Sequence, residues 1–445
     1  MRITHLKSST ELIEMNGIKI LTDPWLSDGE YYGAWYHVPP YEGTIEDIDV
    51  DFIYISHIHP DHTSTKTLAK MKKDIPVLIH KYAKPFLKNN IERLGFSVTE
   101  LKHNASHSIA DNVEITIFAA DNCNPALCSK FLGCAPVENK MGSTRIDSMC
   151  VIRDKEFTIL NTNDCPYELA KDALNKLLSR FGKIDFLLVG YSGAGPYPQC
   201  FHFDDPKEQL KAAKRKEKQF LRMAMQYIEH VSPRFFMPFA GTYTLGGHLH
   251  RLNSIRGVPD IADAFDFLVS ECTEKGLETR GVLLNTGAHF DFSTETSSAK
   301  YKRLTTSEYE AHIQNISKRT LDYERFQYPE KAEILELFPA AYERFNRKRK
   351  EINFTTDTRL LIQISDNEVV RLPFGDQWSV QNLSEETQTP GYVLIACDTR
   401  LLLQMLKGPR FAHWNNAEIG SHLRFQREPD IFERSIYHCL CFLHT

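Results

Sequence analysis

Three histidines and an aspartate fall within six residues, in the run His57-Ile58-His59-Pro60-Asp61-His62. Neutral imidazoles and a carboxylate are the donors that zinc, iron and manganese prefer. In an extended loop, side chains two apart point the same way, so His57 and His59 can grip one ion. Asp61 and His62 lie one step further along and can grip a second. A histidine-rich surface loop is the plain structural alternative, but it explains a single imidazole better than four donors at this spacing. Two ions need more ligands than one loop supplies. Asp164, in Asn161-Thr162-Asn163-Asp164-Cys165, follows the strand-like run 157–160 and could bridge them, although an Asx-turn is the ordinary role of such a residue. His248 and His250 follow the segment 236–241, and either could be a further ligand, the other being a surface residue.

These donors need a rigid frame. Residues 51–56 (DFIYIS) read as a buried strand that ends at the histidine run, where Pro60 blocks helix. Thr63-Ser64-Thr65 offers N-caps for a helix through Leu68, Ala69 and Met71. Upstream, strands at 11–15 and 18–21 flank Asn16-Gly17, a tight hairpin turn, and Asp23-Pro24-Trp25 ends the second of them. Further strands are expected at 75–79, 113–118, 149–153, 157–160, 185–189 and 234–238, with helices over 84–94 and 207–231. The run 185–189 ends in Gly190-Tyr191-Ser192-Gly193-Ala194-Gly195-Pro196, a glycine-rich loop. Helices between some strands and hairpins between others indicate an α/β sandwich.

The bulk properties narrow the classes. A chain of 445 residues with 42% hydrophobic and 25% charged residues is globular, with room for two cores. The net charge of -5 gives no basic face for nucleic acid, and the short basic run 211–218 reads as the solvated side of a helix. No apolar stretch approaches the ~20 residues that span a bilayer. The N-terminal residues lack an apolar leader pattern, and the ten cysteines follow no disulfide spacing, so free thiols and a cytoplasmic location are expected. Composition changes after Thr294. The expected organisation is a catalytic domain over 1–295, a charged helical connecting segment over 296–350 broken by Pro329, and a smaller C-terminal α+β domain over 351–445.

The motif His-x-His-x-Asp-His after a hydrophobic strand, preceded by Thr22-Asp23-Pro24-Trp25-Leu26, resembles the metallo-β-lactamase superfamily. That resemblance implies its αβ/βα sandwich. Residues 159–165, the stretch Tyr191–Phe201, and Pro238-Phe239-Ala240-Gly241 with a histidine soon after resemble the lactamase-like part of CMP-N-acetylneuraminate hydroxylases. A closely spaced Cys-x-His…Cys-x-x-His pair, as in a Rieske cluster, does not occur in the sequence. The resemblance makes His57 and His59 ligands of a first metal, Asp61, His62 and His248 ligands of a second, and Asp164 the bridge, with Asp61 and Asp164 as catalytic residues. It also asks for a third first-metal histidine after the strand 113–118. No histidine occurs between His107 and His202. Asp121 stands in that place, with Cys123 as a soft alternative and His103 or His107 as the fallback.

Two histidines with one carboxylate is the ligand set of O2-activating non-haem iron. Diiron oxygenases of the chloramphenicol-pathway β-hydroxylase type resemble this case, whereas ordinary zinc hydrolases on this fold keep three histidines. The reading is therefore a non-haem diiron oxygenase or hydroxylase. It would use two metal ions, iron ahead of zinc or manganese, and O2 as co-substrate. It would oxidise a small polar substrate, nucleotide-sugar or amino-acid derived, with electrons from an external reductase or ferredoxin. The competing reading is a dinuclear hydrolase whose metal-bridging hydroxide attacks a phosphodiester, thioester or lactone. A non-catalytic metal-binding scaffold is the third. Tyr191, Tyr197 and His202 are expected at the substrate entrance. In the C-terminal part, residues 396–408 faintly resemble sterol-carrier-like modules and 413–421 resemble the C-terminal part of the same hydroxylases. That part is expected to be a packing or homodimerisation module.

Overall fold

The computed structural model describes residues 1–119, 147–374 and 377–445. Two sheets face each other. The first has eight strands, in the order Thr296–Ser297, His289–Asp291, Arg2–Lys7, Thr10–Met15, Ile18–Thr22, Phe52–Ile55, Val77–His80, Val98–Leu101. The second has seven: Arg280–Gly281, Phe235–Phe239, Phe186–Gly190, Thr158–Asn161, Ser148–Arg153, Val113–Ala119, Ser106–Ala110. Between them lies a core to which the first sheet gives Ile3, Ile13, Ile20, Tyr54 and Leu78, and the second Ile117, Cys150, Ile159, Phe186, Leu188 and Met237.

The period-two rule decides which side chains enter that core. Phe186 and Leu188 point between the sheets, while Leu187 and Val189 point outward into a second core under the helices Tyr167–Phe181, Pro206–Val231 and Ile261–Glu274. Leu21, Ile53, Ile55, Val77 and Ile79 point outward from the first sheet against the helices Thr65–Lys70 and Phe86–Glu92. Helix layers thus cover both outer faces, and the αβ/βα sandwich expected from the motif is the fold observed.

Local signals account for most element ends. Asn16 (φ 49°) and Gly17 (φ +81°) form the hairpin turn, both in the left-handed region that this turn requires. Ser64 caps the helix after the histidine run, its Oγ accepting from Thr67 N at 3.0 Å. Asp205 caps the long helix, with Pro206 in its first turn.

A third sheet of five strands runs Ser379–Asn382, Glu368–Leu372, Arg359–Gln363, Tyr392–Ala396, Arg424–Glu428. The helix Lys331–Glu351 lays Phe338 and Phe345 on it, and Thr399–Lys407 and Arg434–Leu440 close the same face. Its edge strand joins the rest of the chain: His202 N donates to Phe425 O and Phe425 N to Cys200 O, each at 2.8 Å. The core beneath this sheet continues without a break to Trp25, Tyr31, Trp35 and Tyr243, beside the histidine run. Among the described residues, no helix is long and apolar enough to cross a membrane.

Candidate metal centre

Parallel pairing of Ile18–Thr22 with Phe52–Ile55 places Asp23 and Ser56 side by side at the strand ends. The buried Asp23 carboxylate takes Ser56 N on Oδ1 and Ser56 Oγ on Oδ2, both at 2.7 Å. Its Oδ2 also lies 2.9 Å from His62 Nδ1. Ser56 Oγ is 2.9 Å from His57 Nδ1. One buried acid and one hydroxyl thereby turn the Nε2 atoms of both rings toward a common space.

Into that space come carboxylates from the second sheet. Asp164, just past the strand Thr158–Asn161, presents Oδ1 3.3 Å from His62 Nε2 and Oδ2 3.8 Å from His57 Nε2. Asp147, immediately before the strand Ser148–Arg153, sets Oδ1 3.7 Å from His57 Nε2. Asp61 Oδ2 lies 3.6 Å from His62 Nε2, while its Oδ1 accepts from Tyr31 Oη at 2.5 Å. One ligand atom each from His57, His59 and Asp147 fall within 4.8 Å of one another, and so do those of His57, His62 and Asp164.

This donor set fits two metal ions. His57 Nε2 is buried and has no hydrogen-bond partner among the described residues. The 3.3 to 3.8 Å separations match two donors that each sit about 2.0–2.2 Å from a shared ion. His57, His59 and Asp147 would hold one ion, Asp61 and His62 the other, and Asp164 offers one oxygen to each side.

The electrostatics agree with a site short of cations. Burial, with His62 and His59 nearby, pushes His57 well below the usual imidazole range. Burial also opposes charge on His62, but Asp164, Asp61 and Asp23 together raise it far above that range. Burial works against ionising Asp164 as well, yet His62 and His57 hold its carboxyl well below normal. His57 is fully buried, whereas the Asp164 side chain keeps 35% of its surface exposed and marks the open side.

The strained turn at Tyr31-Tyr32 is part of this construction. Both residues adopt left-handed backbone, with φ of 50° and 56°, a conformation that bulky side chains avoid. The C-terminal part holds them there. His422 Nε2 bonds Tyr31 O at 2.8 Å, and His413 N donates to Tyr32 Oη at 2.7 Å. Asn415 from the same segment hydrogen-bonds the His59 side chain. The expected packing module thus reaches both the Tyr31 turn and a histidine of the centre.

Other expected residues lie elsewhere. His248 is in the 3-10 segment Gly247–Ile255, over half exposed, with Nδ1 3.3 Å from Glu324 Oε1. Leu249 is the residue of that segment that enters the core, so its neighbours His248 and His250 turn away. The second-metal position assigned to His248 by resemblance is therefore not filled by it here. Asp121 and Cys123 lie outside the described residues. His103 Nδ1 accepts from Ala119 N at 3.1 Å, and His107 sits in the strand Ser106–Ala110 opposite Ile115. Tyr197 packs on Phe201 and Phe203, and exposed His202 lies 3.1 Å from Asp204. Tyr191, one of the three expected entrance residues, lines a cavity described below.

Asp147, Asp23, Tyr31 and Asn415 were not among the expected residues. The strand register explains why Asp147 escaped. Ser148 pairs with Ala119, so the end of one strand and the start of the next lie at the same sheet edge. A carboxylate after Ala119 and one before Ser148 are equivalent on sequence grounds, and Asp147 is the one seen beside His57.

Comparison with known proteins agrees with the fold. Residues 2–213 match the beta-lactamase superfamily domain. A putative Rieske 2Fe-2S iron-sulfur protein of Mycolicibacterium smegmatis is 29% identical over 306 residues, covering 66% of this chain and 54% of that protein. Cytidine monophosphate-N-acetylneuraminic acid hydroxylase of Asterias rubens is 23% identical over 97% of this chain and 64% of its own length. The chain spans about half the length of the first of these relatives. Among solved structures, CmlA, a diiron beta-hydroxylase from Streptomyces venezuelae, aligns with a TM-score of 0.41 at 17% identity, over 63% of this chain and 52% of that one. Isothiocyanate hydrolase from Delia radicum gut bacteria aligns at 0.46 and 17%, over 66% and 99%.

Proposed function

We propose that the protein is a non-haem diiron oxygenase that hydroxylates a small polar substrate. The observation that carries this reading is the donor set. The third donor beside His57 and His59 is the carboxylate Asp147, and with Asp61 and Asp164 three of the six grouped side chains are acids. Hard anionic donors favour iron, and two histidines with a carboxylate leave positions open for O2. The hydroxylase relative of Asterias rubens supports the same direction.

Two bound iron ions would supply the redox chemistry that activates O2. The chain's own residues do the rest. Asp23 and Ser56 fix the orientation of His62 and His57. Tyr31 binds one oxygen of Asp61 and leaves the other facing His62. Burial and the Asp61 charge raise the Tyr31 hydroxyl well above its usual range, so it keeps its proton and stays a donor. Buried Trp25 and Trp35 help keep water from that side of the turn, and Asp164 lies on the open side where a substrate can approach. Electrons would come from a reductase or ferredoxin.

Iron content, optical spectrum and O2 uptake of anaerobically purified protein test this reading. Iron with O2 uptake on reduction is expected. Stoichiometric zinc without O2 uptake would move the assignment to a dinuclear hydrolase.

A further inference from the structure

A cavity of about 420 Å³ has Gly241 in its wall, and Gly241 N donates to Ser8 Oγ at 3.4 Å, in the turn Ser8-Ser9. That turn is shared: Ser9 Oγ donates to Asp61 O at 2.8 Å, and Ala240 N donates to Ser8 O at 3.0 Å. The cavity wall contains Arg256, Tyr191, Tyr243, Tyr301 and Lys302. Arg256 is only 8% exposed. It donates Nη1 to Tyr243 O and lies 4.4 Å over the Tyr243 ring, but its buried Nε has no hydrogen-bond partner. Among the described residues no carboxylate is paired with it. Asp260, on the same wall, is held by Arg303 at 3.1 Å. Lys216 donates Nζ to the Arg256 carbonyl and supplies no counter-ion. The Tyr191 hydroxyl, fully buried on the cavity wall, also lacks a partner.

A buried guanidinium without an anion is costly, and the ring beneath it offsets only part of that cost. An unused guanidinium N–H and an unused hydroxyl on one cavity wall describe a receptor for an oxyanion. The tyrosine rings around them offer flat apolar surface to whatever carries that group.

We infer that this cavity binds the carboxylate or phosphate group of a small organic ligand, with Arg256 as its charge partner and Tyr191 as a second donor. The site does not depend on which reaction the metal centre performs. Its failure would leave the iron and O2 measurements untouched.

The test uses metal-loaded protein and two probes, inorganic phosphate and 4-fluorobenzoate, followed by thermal shift and by fluorine NMR respectively. At least one probe should bind saturably, and which one does identifies the headgroup. Arg256→Gln should weaken that binding more than about tenfold and Tyr191→Phe about threefold to tenfold. Tyr191→Phe removes one hydroxyl from a cavity wall, so it keeps the test decisive should the arginine variant fold poorly. No saturation by either probe up to roughly 10 mM would overturn the inference, as would a Tyr191→Phe protein that binds as the wild type does.

Discussion

Asp23→Asn exchanges one carboxylate oxygen for an amide NH2 and leaves the size of the side chain unchanged. Asp23 accepts three hydrogen bonds, from Ser56 N on one oxygen and from Ser56 Oγ and His62 Nδ1 on the other. An asparagine can accept on one side only. If its oxygen keeps Ser56 N, its NH2 faces His62 Nδ1, which must then accept. The imidazole proton moves to Nε2, the atom 3.3 Å from Asp164 Oδ1, and that nitrogen can no longer bind a metal. If the amide flips, Ser56 N is left facing a donor inside the protein. Losing such an orienting partner costs about tenfold to a hundredfold in metal affinity, or about 1.4 to 2.7 kcal/mol. Competition against a chromophoric chelator reads this directly. The expected result is one site weakened by that factor and the His57 side affected less. Wild-type affinity at both sites would refute the orienting role of Asp23.

Asp147→Asn should lower the bound metal from two ions per chain toward one by metal analysis, whereas Asp121→Asn should leave it unchanged; the reverse would return the third donor to Asp121. His422→Ala leaves the buried Tyr31 carbonyl without its partner, so urea unfolding should show a loss of about 1–3 kcal/mol, and metal affinity should fall with it. Lys216 is nine-tenths buried, and burial, helped by Arg256, lowers its ammonium from 10.5 to about 7. Between those values the unfolded chain holds a proton that the folded chain does not, so stability rises with pH across that window and falls as pH drops toward 7. The slope is at most about 1.4 kcal/mol per pH unit. Denaturation at pH 7 and pH 9.5 should show Lys216→Met stabilised relative to wild type at pH 7, the gap narrowing at pH 9.5. Parallel curves would refute the assignment.

The parts of this molecule that could be read from sequence are those set by local spacing. His57 to His62 carry their meaning in six positions, and residues 51–56 announce a buried strand. The interleaved outward and inward positions of Phe186–Gly190 follow from period two. What could not be read depends on contacts between distant segments. Asp23 becomes an orienting acid only when parallel pairing brings it to Ser56. Tyr31 reaches Asp61 only through a left-handed turn held by His422, 391 positions away in the chain. His248 follows the strand at the right distance, yet the burial of Leu249 turns it outward.

The carboxylate-rich centre as an iron site is tested most directly by metal analysis of anaerobically purified protein, with O2 uptake measured on chemical reduction. The account predicts two iron ions per chain and stoichiometric O2 consumption, both lost in Asp147→His, where a third imidazole would favour zinc. Two zinc ions in the wild-type protein, with no O2 uptake, would contradict it.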